Sequence, residues 1–182
     1  VTLRVKDAVC DRFQFARGKR PTVDTHAPDI LIAVYLDAST CTFYVDTSGE
    51  PLFKRGWRRS AGEAPIRENL AAGILRLSKW TADTVLYDPM CGSGTFVIEA
   101  ALMARRVAPG IGRHFAFEKL LSFDARRLND LRTELKAMEI PIKPGLIHAA
   151  DDNAHATTSI KANLTIAGSG DAVTLQQGDV LQ

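Results

Sequence analysis

The stretch Asp88-Pro-Met-Cys-Gly-Ser-Gly-Thr95 decides the fold, because it joins a predicted buried strand to a predicted helix. The strand is expected at Thr84 to Tyr87 and the helix at Thr95 to Arg106. A strand, a glycine-rich turn and a helix in this order are the opening of a parallel α/β sheet. Ligands of such sheets lie at the carboxyl ends of the strands, where this turn falls.

The same alternation continues toward the end of the chain. The pattern predicts strands at Leu146 to Ala150 and Val173 to Gln176, with a helix from His155 to Ala167 between them. A Pro/Gly loop at Val107 to Arg113 and a charged helix at Phe123 to Met138 are expected as additions. The predicted fold class is therefore α/β, the front part of a Rossmann-like parallel sheet with flanking helices.

The sequence before the predicted sheet has a different pattern of secondary structure. Helical spacing predicts a helix at Arg4 to Phe15, and two β-rich runs, Ile30 to Leu36 and Thr40 to Val45, predict a hairpin. A helix is expected to open at Pro65 and to end near Trp80. We therefore predict a small α+β piece over residues 1–50, a basic linker and helix over 51–80, and the α/β domain over 81–182.

Composition excludes several classes of protein. Of 182 residues 46% are apolar, and 23 Lys+Arg against 21 Asp+Glu leave a net charge of only +2. No apolar run approaches the ~20 residues of a membrane-spanning helix, and the mixed charges of the first residues lead us to expect no export. The three scattered cysteines predict reduced thiols and a cytoplasmic location, and the histidines show no metal-ligand spacing. The start without Met suggests an excised fragment.

The glycine-rich turn favours one class of small ligand. Gly92 and Gly94 let a molecule lie against the main chain, and the helix that begins at Thr95 favours a carboxylate or phosphate. The dinucleotide fingerprint requires Gly or Ala where Val97 stands, and the Gly-Lys-Ser/Thr of a P-loop is missing from the sequence. Asp88 would repel a pyrophosphate but attract an ammonium group.

S-adenosylmethionine has the groups that this arrangement would recognise. Its ammonium suits Asp88 and its carboxylate suits the helix N-terminus. A ribose would meet an acid after the second strand, and an adenine would meet a polar group after the third. Asp151 and Asp179 stand at those two places. Acids at strand ends are also common as helix caps, and Asn153 in particular could serve only as the N-cap of the next helix.

The turn resembles the first motif of class I amino-methyltransferases. The segments Gly62-Glu-Ala-Pro-Ile-Arg-Glu-Asn-Leu-Ala-Ala72, Pro109-Gly-Ile-Gly-Arg113 and Phe115-Ala-Phe-Glu-Lys119 further resemble the family of THUMP-containing 23S ribosomal RNA guanine-N2 methyltransferases. Members of that family are often labelled N6-adenine-specific DNA methylases. The likeness runs from about Lys6 to the end of the chain.

This resemblance implies a cofactor site and an RNA partner. The first 47 residues are similar to the last helix and hairpin of a THUMP domain, an RNA-binding module. Asp151 would take the ribose hydroxyls and Asp179 would face adenine, whereas Asp152 and Asn153 depart from the usual Asp-x-Asp. The residues implied to hold the methionine part of S-adenosylmethionine are Asp88, Gly92, Ser93, Gly94 and Thr95. The further residues predicted to bind this cofactor are Pro89, Met90, Cys91, Asp152 and Asn153.

A basic run lies between the two parts. Phe53-Lys-Arg-Gly-Trp-Arg-Arg59 mixes cations with aromatic rings, a composition suited to phosphate contact and base stacking. We predict RNA contacts for Lys54, Arg55, Arg58 and Arg59. The alternatives are a solvated linker or side chains that pack on a neighbouring domain.

The target and the catalytic loop are less well defined. The family loop of the Asn/Asp-Pro-Pro-Tyr type follows a fourth strand, and the sequence stops at Gln182 before one, so no catalytic residue is assigned. We expect a ribosomal RNA partner, no metal, and no methyl transfer by this piece alone. Alternatives are an adenine N6 target in DNA or a non-catalytic RNA-binding module. Cys91 is expected to be a neutral wall residue rather than a nucleophile.

Overall fold

The computed structural model describes residues 2–59 and 65–179. It divides the chain into two compact units, Val1–Asp46 and Thr47–Gln182. Residues 62–64 of the segment that resembles the methyltransferase family lie outside the described residues. Within the described ranges, no helix is both long and apolar enough to cross a membrane.

The first unit consists of one helix and one hairpin. Helix α1 spans Thr2–Arg17, and strands β1 (Ile32–Leu36) and β2 (Cys41–Val45) pair antiparallel. The turn between the strands is closed by Asp37, whose carboxylate accepts hydrogen bonds from the backbone N–H groups of Ser39 and Thr40. The predicted helix and hairpin are confirmed, with ends shifted by one or two residues, a normal uncertainty at element termini.

The second unit contains the parallel sheet. Strands β3 (Leu86–Asp88), β4 (Ile147–Asp151) and β5 (Val173–Gln177) form a three-stranded sheet in the order β3-β4-β5, with both pairs parallel. The helices of this unit are α2 (Glu68–Leu77), α3 (Thr95–Ala104), α4 (Ala125–Ala137) and α5 (Ala154–Ile166). The predicted α/β class with a parallel sheet and flanking helices is therefore confirmed.

The core of this unit lies where α3 and α5 meet the sheet. Ile98 of α3, Ile147 of β4 and Ile160 of α5 are fully buried, and α2 packs against α3. Burial of a branched aliphatic side chain contributes about 1.5–3 kcal/mol, so this cluster is the main source of stability for the sheet. It also fixes the carboxyl ends of β3 and β4 relative to α3.

Helix α2 begins later than the sequence predicts. The prediction places its first turn at Pro65, whereas the helix starts at Glu68 after an extended Arg67 with φ −71° and ψ 142°. The physical reason is a tertiary contact, because the carbonyl of Ile66 accepts a hydrogen bond from the Arg58 guanidinium at 3.0 Å. That carbonyl therefore does not begin the helical hydrogen-bond ladder.

The segment that follows the first unit is held by a buried arginine. Arg113 donates hydrogen bonds to the carbonyls of Ser48, Glu50 and Pro51 and lies over the ring of Phe115. Its carbonyl in turn accepts from Arg132 of α4 at 2.7 Å. The additions after α3 thus fix the path of the chain that leads to the basic run.

Candidate functional site

The turn between β3 and α3 is held in one shape by backbone hydrogen bonds. The N–H of Cys91 donates to the carbonyl of Ala150 at 3.0 Å, and the N–H of Gly94 donates to that of Cys91 at 2.8 Å. Gly92 and Gly94 both adopt left-handed backbone conformations, with φ of +52° and +84°. We call residues 91–95 the cofactor loop, after the ligand that the sequence predicts for them. It lies at the carboxyl end of the sheet, as the sequence predicts.

The two glycines of this loop face different surroundings. A Cβ atom built on Gly94 would lie 2.5 Å from Cγ1 and 2.7 Å from Cδ1 of Ile160, so the glycine lets α5 approach α3. A Cβ atom on Gly92 would meet nothing within 4 Å. Gly94 therefore serves packing, whereas Gly92 exposes backbone to a space that a ligand can enter.

Asp88 ends β3 and is partly buried beside this space. Its Oδ1 accepts a hydrogen bond from the N–H of Met90 at 3.3 Å. Burial raises the pKa of Asp88 above its usual value, the Met90 hydrogen bond lowers it, and the neighbouring carboxylate of Asp151 raises it further. Two acids at adjacent strand ends create a negative site, in which a cation would offset their mutual repulsion.

Asp151 ends β4 and is bound to the cofactor loop. One carboxylate oxygen accepts from the N–H of Gly92 at 2.8 Å, and the other accepts from the N–H of Asn153 at 3.0 Å. Each carboxylate oxygen has a second lone pair, so the side chain retains capacity to accept from ligand hydroxyl groups. The geometry fits the predicted ribose role and adds a structural one.

The residues after β4 and β5 lie along the same edge of the sheet. Asn153 caps α5, because its side chain accepts from the N–H of His155 at 2.8 Å. A contact of Asn153 with the cofactor stays a prediction. Asp152 is exposed next to it. The N–H of Gly178 donates to the carbonyl of Asp151 at 3.1 Å, which places exposed Asp179 just beyond the end of β4.

The hydroxyl groups of the cofactor loop are turned away from solvent. Ser93 and Thr95 are buried, and their hydroxyl oxygens accept from the Arg58 guanidinium at 3.0 Å and 2.8 Å. Any ligand would therefore meet the backbone at these positions. Pro89 and Met90 lead into the loop, with Met90 exposed.

Cys91 is a buried, neutral thiol. Burial raises the pKa of Cys91 to about 12, and the charges of Asp88 and Asp151 act in the same direction. Because the thiolate is the reactive form, this side chain has no nucleophilic character at neutral pH. Among the described residues, no group of three His, Cys, Asp or Glu side chains could hold a metal ion.

Two of the four basic side chains in the run Phe53 to Arg59 form ion pairs with buried acids. Arg55 pairs with buried Glu99 of α3 at 3.3 Å, and Arg58 pairs with buried Glu68 of α2 at 2.9 Å. We call residues 55–59 the strap. The structure gives Arg55 and Arg58 this internal role instead of a surface one. RNA contact by the exposed side chains of Lys54 and Arg59 stays a prediction.

The strap reaches the cofactor loop by a second path. The backbone N–H of Arg59 donates to Oδ1 of Asn163 at 3.2 Å, and Nδ2 of Asn163 donates to the carbonyl of Ser93 at 3.0 Å. Sequence reasoning missed Asn163, Glu68 and Glu99. A signal was present for Glu99, because a single carboxylate within the apolar helix Thr95–Ala104 requires a buried partner.

Residues 55–182 match the RMKL-like methyltransferase domain, UPF0020, and residues 1–46 match the THUMP domain. The chain belongs to the RMKL-like methyltransferase family. The match covers more than half of the chain and includes the cofactor loop, both strand-end acids and the strap. The family resemblance seen in the sequence is thereby confirmed.

Solved structures of related proteins have the same fold. The chain is 34% identical, with a TM-score of 0.79, to SMU.472, described as a methyltransferase and solved in complex with SAH. It is 34% identical, with a TM-score of 0.83, to a predicted N6-adenine-specific DNA methylase from Listeria monocytogenes str. 4b F2365. A possible methylase from Clostridium difficile 630 is 33% identical, with a TM-score of 0.84.

These alignments cover nearly all of this chain but less than half of each relative. The matched shares of this chain are 96%, 97% and 98%, and those of the relatives are 46%, 46% and 47%. The likeness therefore extends over both units described above.

Proposed function

We propose that this chain supplies the S-adenosylmethionine site of an RNA methyltransferase that modifies the exocyclic N2 amine of a guanine in cytoplasmic 23S ribosomal RNA. The single observation that carries the proposal is the pairing of two acids, Asp88 and Asp151, around the exposed backbone of Gly92. The family match supports the reaction class.

The residues present fit this cofactor. Asp88 would hold its ammonium group, the first turn of α3 its carboxylate, and Asp151 its ribose hydroxyls, with Asp179 toward the adenine. The partly buried carboxylate of Asp88 lacks a cationic partner among the contacts described for it, which matches a role for a positively charged ligand. When bound, S-adenosylmethionine supplies an activated methyl group on sulfur.

The protein's own task in this reaction is to position the cofactor. Gly92 allows close approach of the backbone, and the neutral thiol of Cys91 gives a wall that does not compete for the methyl group. Transfer of a methyl group to an amine depends strongly on alignment of the reacting atoms. A fixed cofactor loop is therefore the main contribution of this part of the protein.

Calorimetry with S-adenosylhomocysteine tests the cofactor site. We expect binding by the full 182-residue chain and an affinity at least about tenfold lower for Asp88→Asn, which keeps the shape but removes the charge. Asp83→Asn is the matched control, because Asp83 is an exposed acid paired with Lys143. A folded chain that releases no heat with the ligand contradicts the proposal and favours a binding module without catalysis.

The target is tested on the complete gene product. Tritium transfer from labelled S-adenosylmethionine to 23S ribosomal RNA, followed by nucleoside analysis for N2-methylguanosine, would support the proposal. The match of residues 1–46 to a THUMP domain favours RNA. The name of the Listeria relative favours the second candidate, adenine N6 in DNA, and transfer to DNA alone would establish that candidate instead.

A further inference from the structure

Arg58 of the strap donates hydrogen bonds to four acceptors, two of which belong to the cofactor loop. Its guanidinium donates to Glu68 at 2.9 Å, to Ser93 at 3.0 Å, to the carbonyl of Ile66 at 3.0 Å and to Thr95 at 2.8 Å. The side chain also lies over the ring of buried Trp57, with 5.0 Å between Cζ and the ring centroid. A planar guanidinium with fixed donor directions is suited to such a site, and a lysine ammonium is not.

The acceptors that Arg58 joins belong to two separate pieces of chain. Ile66 and Glu68 stand at the start of α2, whereas Ser93 and Thr95 flank Gly94 at the start of α3. Ser93 is held from another direction as well, because Asn163 of α5 donates to its carbonyl. The cofactor loop is thus held by two side chains from outside it, Arg58 and Asn163.

We infer that Arg58 is a positioning residue, which sets the shape of the cofactor loop and thereby the affinity for S-adenosylmethionine. The inference rests on the proposed cofactor site. Arg58 acts through Ser93 and Thr95 and does not itself need to touch the ligand. Displacements of about 1 Å in a preorganised site reduce function by about two orders of magnitude, so loss of these contacts should be measurable in binding.

The strap contains a matched control for this inference. Arg55, like Arg58, pairs with a buried glutamate, but its other hydrogen bond goes to the carbonyl of Leu52 and not to the cofactor loop. Removal of an arginine alone would leave a buried carboxylate unpaired and would destabilise the fold. The comparison therefore uses two paired variants, Arg58→Met with Glu68→Gln and Arg55→Met with Glu99→Gln.

The first measurement is the affinity of the 182-residue chain for S-adenosylhomocysteine at equal folded fraction. We expect the Arg58 pair to lower the affinity by about tenfold or more, and the Arg55 pair to change it by less than about threefold. Arg58→Lys is expected to recover part of the affinity, since an ammonium reaches one or two of the acceptors. Equal affinity of all folded variants and the parent chain would overturn the inference.

A second variant covers the case in which the Arg58 pair does not fold. Ser93→Ala with Thr95→Val removes the two loop acceptors and leaves the Arg58–Glu68 ion pair intact. We expect faster hydrogen exchange at the backbone amides of Cys91 and Gly94, and weaker ligand binding. Unchanged exchange and unchanged affinity in this variant would overturn the inference.

The outcomes separate this inference from the proposed function. A parent chain that is folded and does not bind the ligand removes the cofactor site and the inference with it. A parent chain that binds, together with Arg58 variants that bind equally well, removes only the role of Arg58. If the parent chain and the Arg55 pair bind the ligand and the Arg58 variants bind it less tightly, the result supports both the cofactor site and the role of Arg58.

Discussion

The carboxylate of Asp151 accepts a hydrogen bond from the backbone N–H of Gly92, with 2.8 Å between oxygen and nitrogen. The two residues are far apart in sequence and meet because β3 and β4 are parallel neighbours. This contact joins the strand-end acid to the glycine whose backbone faces open space. A single side chain thus shapes the loop and offers acceptors for a ligand.

Replacement of Asp151 by alanine should therefore affect both stability and binding. The Gly92 and Asn153 amides would each lose a charged acceptor, at a cost of about 1–3 kcal/mol in unfolding free energy. Urea unfolding of the ligand-free chain measures this loss, and calorimetry with S-adenosylhomocysteine measures the loss of affinity. Full stability in the variant would show that the hydrogen bonds contribute nothing net.

The two loop glycines should respond differently to alanine. Gly94→Ala places a methyl group against Ile160 and in a left-handed conformation, so we expect a loss of about 2–4 kcal/mol in unfolding free energy. Gly92→Ala has the conformational cost alone, about 1–2 kcal/mol, but its methyl group enters the proposed ligand space. Ligand binding by Gly92→Ala at parental affinity would be inconsistent with a cofactor against that backbone.

The steric part of the Gly94 effect can be isolated. Both close contacts of the added Cβ atom are side-chain atoms of Ile160. Ile160→Ala removes these atoms, so the double variant should lose less stability than the sum of the two single variants. Strict additivity would indicate that backbone strain alone accounts for the cost.

Ligand affinity should fall as the solution becomes more acidic. Burial raises the pKa of Asp88 above its usual 3.8, and the ionised form is the one that attracts an ammonium group. In the ligand-free chain the stability that Asp88 contributes is present below that usual value and is lost as pH rises through its raised pKa. Binding of a cation favours ionisation, so affinity should decrease as pH falls through the raised pKa. Calorimetry at several pH values checks this, and Asp88→Asn should flatten the profile.

Thiol reactivity should separate the three cysteines. Cys41 is exposed, whereas Cys10 and Cys91 are buried, and the pKa of Cys91 is raised to about 12. Ellman's reagent at about pH 7.5 should therefore react rapidly with Cys41 in the native chain, and this phase should disappear in Cys41→Ser. Rapid formation of the mixed disulfide at Cys91, identified by peptide mapping under non-reducing conditions, would contradict a buried neutral thiol.

Much of the second unit follows from local sequence pattern. The glycine turn between a β-rich run and an apolar helix predicted β3, the loop and α3, and the alternation predicted β4, α5 and β5. The acids at 88 and 151 were found for the same reason, because parallel strands bring their carboxyl ends to one edge. The roles assigned to Asp88, Asp151 and Asp179 toward a ligand stay predictions.

The strap could not be predicted in this way. Arg55 and Arg58 had the composition of a surface patch, and only tertiary structure brings Glu99 and Glu68 against them. A further tertiary contact, the hydrogen bond from Arg58 to the carbonyl of Ile66, makes α2 start later than the predicted Pro65. Long-range ion pairs of this kind produce no periodic pattern in the sequence. A run of basic residues alone therefore does not distinguish RNA contact from ion pairing inside the protein.

The two ion pairs of the strap determine where a shortened protein that contains only the α/β part can begin. Glu68 and Glu99 are buried, and their cations come from residues that precede the sheet by about thirty positions. A piece that starts at β3 would keep buried Glu99 without its arginine partner. A piece that starts at α2 would keep both Glu68 and Glu99 without theirs. Each buried carboxylate left unpaired would destabilise the fold by several kcal/mol. Such pieces should be recovered as insoluble protein, and a productive starting point lies before Arg55.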